Sequence, residues 1–162
     1  MRELPKFQLS PKIKGVWRLN DAVWLTMLFL ILFGIAAVVA ASLPTSGGLL
    51  IILIVVLLYI LGMILFLVIL PPIRYIRWRY ELSDDFLDIA RGIVWKKRFI
   101  IPFIRVQNTD TRQGPILRLF GLASVTVSTA AGSHEIPGLD SETAEQLRDR
   151  AAELARIAQE DV

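Results

Sequence analysis

Two stretches of the chain, residues 22–43 and 49–70, contain no Asp, Glu, Lys, Arg or His. Each is long enough to cross a hydrocarbon core of about 30 Å as a helix rising about 1.5 Å per residue. Lipid offers the backbone no hydrogen-bond partners, so both stretches are predicted as transmembrane helices. The connector Pro44-Thr45-Ser46-Gly47-Gly48 is short and rich in helix breakers, which predicts a tight antiparallel hairpin. Trp17 and Trp24 at the entry, and Tyr75 and Trp78 past the exit, sit where interface anchors belong. A cleaved signal peptide fits less well, because the charged lead and the apolar run are both too long and a second run follows at once.

From Arg77 the period drops to two. Trp78, Tyr80 and Leu82 alternate with Arg77, Arg79 and Glu81, the pattern of a half-buried strand. Ser83-Asp84-Asp85 predicts a turn, and residues 86–91 a return strand ending at Gly92. Residues 93–101 predict a third strand, stopped by Pro102, and residues 104–110 a fourth. Pro115 and Gly121 frame one short helix. Ala123, Val125 and Val127 then alternate with Ser124, Thr126 and Ser128, which predicts a strand with one polar face. Residues 134–136 predict a short last strand, stopped by Pro137-Gly138. Asp140 is the predicted N-cap of a final helix whose apolar stripe is Ala144, Leu147, Ala151, Leu154 and Ala158. The fold class is α+β: a two-helix transmembrane hairpin followed by antiparallel strands and a C-terminal helix. The expected division is a basic N-terminal segment (1–21), the hairpin (22–70) and a cytoplasmic domain (71–162).

Charge adds an orientation. The lead carries Arg2, Lys6, Lys12, Lys14 and Arg18; Arg74, Arg77 and Arg79 follow the second span; the connector has no basic residue. The positive-inside rule then places both termini in the cytoplasm and residues 44–48 outside the cell membrane. Tyr75, Ile76 and Trp78 leave almost no linker, so the domain is expected close to the leaflet. Residues 72–118 hold ten Lys/Arg and five Asp/Glu, whereas residues 119–162 hold three and eight. The basic half thus adjoins the membrane in the chain, where an anionic leaflet attracts cations. A composition 54% hydrophobic and only 20% charged excludes a fully soluble protein, and 162 residues exclude a large multispan transporter. Spans without ionisable groups argue against an ion pathway. Ala36 with Ala40, and Ala37 with Ala41, have the spacing that lets helices approach closely, which favours packing on the second span near Gly62 over the competing reading of a homodimer seam.

Candidate chemistry is sparse. Lys96-Lys97-Arg98, between Trp95 and Phe99, is a candidate site for anionic lipid. On a regular strand Lys97 would point away from Lys96 and Arg98, so only a bend gathers all three; a merely solvated basic edge is the competing reading. His134 is the one histidine, and with no cysteine in the chain it makes a poor metal site and reads as an exposed turn residue. Asp84, Asp85 and Asp88 lack the spacing of a cation loop. No phosphate-cradling glycine motif or nucleic-acid module is present. No metal, cofactor or small-molecule substrate is expected.

The stretch IPFIRVQNTDTRQGPILRLFGLASVTVSTAAG, with the preceding YELSDDFLDIARGI, the two spans and the LSPKIKGVWRL lead, resembles the bacterial pleckstrin-homology-like membrane-flanked domain family of the YdbS type. The resemblance implies a pleckstrin-homology-like (PH-like) fold: a partly open antiparallel β-barrel of about seven strands closed by the C-terminal helix. It implies a binding or scaffold module without enzymatic activity. Its implied partners are membrane lipid and either a larger, multi-copy membrane relative or a second copy of the chain; an accessory role in transport or envelope-stress machinery is a more distant implication. The residues that carry the motif are Arg105, Gln107, Asn108, Gln113, Gly114, Pro115, Arg118, Phe120 and Gly121, as structural or partner-binding positions. For Asn108 and Gln113 the simpler reading is that they satisfy the backbone around the short helix.

Overall fold

The computed structural model describes residues 4–160. Two compact units emerge: Trp17–Pro72, and the described residues up to Val16 together with those from Ile73 onward.

In the first unit, α1 (Ile13–Ala41) and α2 (Thr45–Met63) are long apolar helices. A π-helical stretch, Ile64–Ile69, carries the second helix into α3 (Leu70–Arg77). Both helices are long and apolar enough to cross a membrane. The connector is tighter than its composition predicts, because Pro44 stands at the N-cap and the helix starts at Thr45. Proline loses nothing there, since the first N–H groups of a helix have no intrahelical acceptor. Gly48 sits in that first turn because a Cβ would lie 2.7 Å from the Ala40 carbonyl oxygen. Further along, Gly62 faces Leu25, and the Thr26 and Tyr59 hydroxyls share a 3.2 Å hydrogen bond. Pro71 has no N–H to donate to the Leu67 carbonyl, four residues back. Arg18 supplies the missing donor, Nε to O 2.9 Å.

The second unit has six strands in two antiparallel sheets. β1 (Arg79–Leu82), β2 (Phe86–Arg91) and β3 (Lys97–Pro102) form one, in that order. A 3-10 turn, Phe103–Arg105, leads to β4 (Val106–Arg112), and α4 (Pro115–Leu119) to β5 (Leu122–Thr129) and β6 (Gly132–Asp140). The second sheet has the order β4-β5-β6. Six strands are therefore found among the described residues where about seven were expected, and no ladder closes the two sheets into a barrel. α5 (Ser141–Glu160) packs on β4, β5, β6 and the 3-10 turn. Its buried stripe is Ala144, Ala151, Leu154 and Ala155, which join Leu87, Ile89, Ile101, Phe103, Val125, Val127 and Ile136 in the core.

Two strand expectations are corrected. β6 does not stop at Pro137-Gly138. It continues through a bulge in which those two residues oppose Ser124, with Gly138 at φ +63°. β5 has no open polar face, since Ser124 is 1% and Thr126 8% exposed.

The described residues up to Val16, including the first turn of α1, form a strap on this unit. Phe7 exchanges two backbone hydrogen bonds with Tyr80, 3.0 and 2.9 Å, and Ser10 N donates to Gly138 O. Leu9 and Ile13 are 2% and 1% exposed. Gly138 must lack a side chain, because a Cβ there would overlap Ile13. Lys6 pairs with Glu81 and Lys12 with Asp140, 3.2 and 3.1 Å apart.

Candidate functional site

The register of the first sheet sets Arg79, Ala90 and Arg98 in one row across β1, β2 and β3. Residues directly opposite on adjacent strands share a face. Alanine in the middle leaves room between two arginines. Arg91 and Lys97 form the next cross-strand pair, Lys96 comes from the loop before β3, and Ile76 and Arg77 from the end of α3. With Leu4 and Gly92 these residues enclose a cleft of ≈ 460 Å³. Six cations line it and no carboxylate does.

The cations are not equivalent. Arg98 is committed to Asp88: its Nε lies 3.0 and 3.1 Å from the two carboxylate oxygens, and an Nη donates at 2.6 Å. Asp88 is only 3% exposed, so the pair satisfies a buried carboxylate. Those hydrogen bonds raise the Arg98 pKa further above its ordinary value, which fixes its charge. Arg91 lies over the Phe99 ring, 5.2 Å from its centroid. Among the described residues, Arg77, Arg79, Lys96 and Lys97 have no carboxylate partner. Such a site suits an anion with several acceptor oxygens, a phosphate above all. Its lining contains no Ser, Thr, Cys, Tyr, His, Asp or Glu. Among the described residues no group of His, Cys, Asp and Glu could hold a metal ion.

Lys96, Lys97 and Arg98 all line this cleft. β3 begins at Lys97, so Lys96 belongs to the preceding loop, while Lys97 and Arg98 are successive strand positions paired with Arg91 and Ala90 and lie on opposite faces of the sheet. The motif residues stand elsewhere. Arg105 is exposed in the 3-10 turn. Gln107 is the extra residue of a β4 bulge, and Asn108 donates to Asp110, 2.9 Å. Gln113 donates to Leu122 O, 2.9 Å, and lies 3.2 Å from Ser141 Oγ, which in turn donates to Gly121 O. Gly114 caps α4, Pro115 opens it, Arg118 is exposed in its last turn, and Phe120 ends it against Gly15.

His134 lies on β6 and packs against Phe99 of the other sheet, with ring centroids 4.8 Å apart and the planes tilted by 52°. Burial, helped by the positive charge of Arg91, lowers its pKa below the usual 6.5. The folded state therefore favours the neutral ring. Its contribution to stability is complete above about pH 6.5 and is lost as pH falls through the lowered folded value. With one histidine in the chain, an imidazole NMR titration reads this site alone, and a midpoint below 6.5 is expected. A midpoint at or above 6.5 would contradict the packing.

Periodicity alone did not single out Arg77, Arg79 and Arg91 as one site with the triplet. Their alternation with Trp78 and Tyr80 was visible, but only the strand register brings them together. The strap was also missed, although Leu9, Ile13 and Val16 already have helical spacing.

Comparison with known proteins agrees with this architecture. The family model described as Bacterial PH domain matches residues 23–155. The UPF0699 transmembrane protein YdbS of Bacillus subtilis (strain 168) is 40% identical over 162 residues, covering 100% of both chains. The UPF0699 transmembrane protein YdbT of the same organism is 28% identical over 94 residues, which cover 55% of this chain and 19% of that protein. No solved structure matches. With a family model covering most of its length and a full-length relative at this identity, the chain belongs to the bacterial PH domain family.

Proposed function

We propose that this chain is a membrane-anchored, non-enzymatic binding module whose PH-like domain receives the phosphate of an anionic phospholipid in the basic cleft. The observation that carries the reading is the convergence of six cations, from α3, all three strands of one sheet and the β2–β3 loop, on a cleft without a carboxylate. The hairpin would hold the domain at the cytoplasmic leaflet, with both termini inside, in keeping with the distribution of Lys and Arg. An anionic leaflet stabilises each nearby Lys or Arg by about 1 kcal/mol, so several acting together suffice to favour anionic over zwitterionic lipid. The two sheets and α5 would correspond to a partly open PH-like barrel. A second reading, a scaffold joined to a larger membrane relative, is supported by the match of half this chain to a fifth of a longer transmembrane protein.

The test is a titration of the full chain in zwitterionic micelles, followed by NMR at the Gly92 and Arg79 amides. Dihexanoylphosphatidylglycerol is expected to shift both saturably, and dihexanoylphosphatidylcholine neither. Inorganic phosphate matching the anionic lipid would move the ligand from the membrane to solution. Equal shifts with both lipids would remove the headgroup reading.

A further inference from the structure

The loop between β2 and β3 presents its apolar side chains outward. Val94 is 81% and Trp95 80% exposed, and Lys96 and Lys97 follow directly. A soluble surface gains nothing from two large neighbouring apolar groups held in water. The loop is also shaped: Gly92 has φ +120°, and a Cβ there would overlap the Trp95 carbonyl oxygen, so the chain turns back tightly on itself. On the same cleft, Leu4 and Ile76 add apolar groups that are 70% and 60% exposed. Apolar residues beside unpaired cations complement an interface whose outer layer is anionic and whose inner layer is hydrocarbon. Tryptophan and lysine are residues that settle at that boundary.

We propose that the tip of the β2–β3 loop is a membrane-insertion element: Val94 and Trp95 enter the headgroup–acyl boundary of an anionic leaflet, while Lys96 and Lys97 stay among its phosphates. The proposal rests on the headgroup reading of the adjacent cleft and adds a second contact that a free anion could not supply.

The chain has no cysteine, so Val94→Cys carries one environment-sensitive fluorophore at a defined place. The full-length labelled chain is reconstituted in nanodiscs of phosphatidylcholine, with or without phosphatidylglycerol. In the anionic discs, lipids spin-labelled high on the acyl chain are expected to quench the probe about twofold, as for insertion of about 5–10 Å. The same label at Ala131, exposed in the β5–β6 turn, is expected to remain unquenched. Quenching in both kinds of disc would sustain insertion and count against lipid selectivity at the cleft. A cleft that responds to anionic lipid while the probe at position 94 stays in water would sustain the headgroup reading and overturn insertion. A probe shielded only by contact with another protein would overturn it as well.

Discussion

Replacing Ile13 with alanine is expected to lower the melting midpoint of the sheet-containing unit by about 10–20 °C, although Ile13 belongs to no sheet and precedes the first strand by more than sixty residues. The side chain is 1% exposed and rests on Gly138, in the bulge of β6. Burying an aliphatic side chain of this size contributes about 1.5–3 kcal/mol, and truncating it adds the cost of the cavity left behind. Leu9, 2% exposed, contributes in the same way. Together they approach the whole stability of a small domain, about 5–15 kcal/mol. A fragment that begins at Ile73 is therefore expected to lack a cooperative transition, and a peptide of residues 4–16 to restore one. The seating can be tested by a double-mutant cycle. Gly138→Ala strains a backbone at φ +63° and clashes with Ile13; its cost should fall by about 1 kcal/mol when Ile13 is already alanine. An Ile13→Ala chain that melts within a few degrees of the native one would show that the strap is not seated there.

Arg98→Ala is expected to lower the same midpoint by about 10 °C, whereas Lys96→Ala with Lys97→Ala shifts it by only about 2 °C. The three residues are consecutive and equally charged, but their partners differ. Lys96 and Lys97 are exposed, with no carboxylate partner among the described residues. Arg98 holds Asp88, and removing it strands a carboxylate that is 3% exposed. Removing both partners should recover most of the loss, because neither charge is then left alone. If Arg98→Ala melts like the lysine variants, the pair is not structural. The same contrast governs any binding experiment: a triple alanine variant would confuse unfolding with loss of a ligand.

The distinction was only partly legible in the sequence. Both apolar helices follow directly from runs without charge, since lipid leaves the backbone no alternative to a helix. The strands β1, β2 and β5 follow from alternation and turn residues, whereas β3 starts at Lys97 rather than at residue 93 and β4 at Val106 rather than at residue 104. Pro137-Gly138 misleads because proline and glycine usually end a strand, yet a bulge accommodates both, and only a tertiary neighbour, Ile13, explains why glycine is required. The open polar face assigned to β5 failed for a related reason: alternation reports side-chain polarity, and Ser124 lies opposite that bulge. The basic triplet was visible, but its division into a structural arginine and two free lysines depends on Asp88, ten residues away across a hairpin. Arg77, Arg79 and Arg91 join the same cleft only through strand register.

The central claim, that the cleft recognises anionic headgroups through its unpaired cations, is tested most directly by dihexanoylphosphatidylglycerol affinity in the full chain before and after Lys96→Ala with Lys97→Ala. The fold should be unchanged in this pair, so affinity alone is read. The account predicts a loss of roughly 10- to 30-fold, steeper at low salt, from two cations each contributing about 1 kcal/mol. Unchanged affinity, with the midpoint also unchanged, would contradict it.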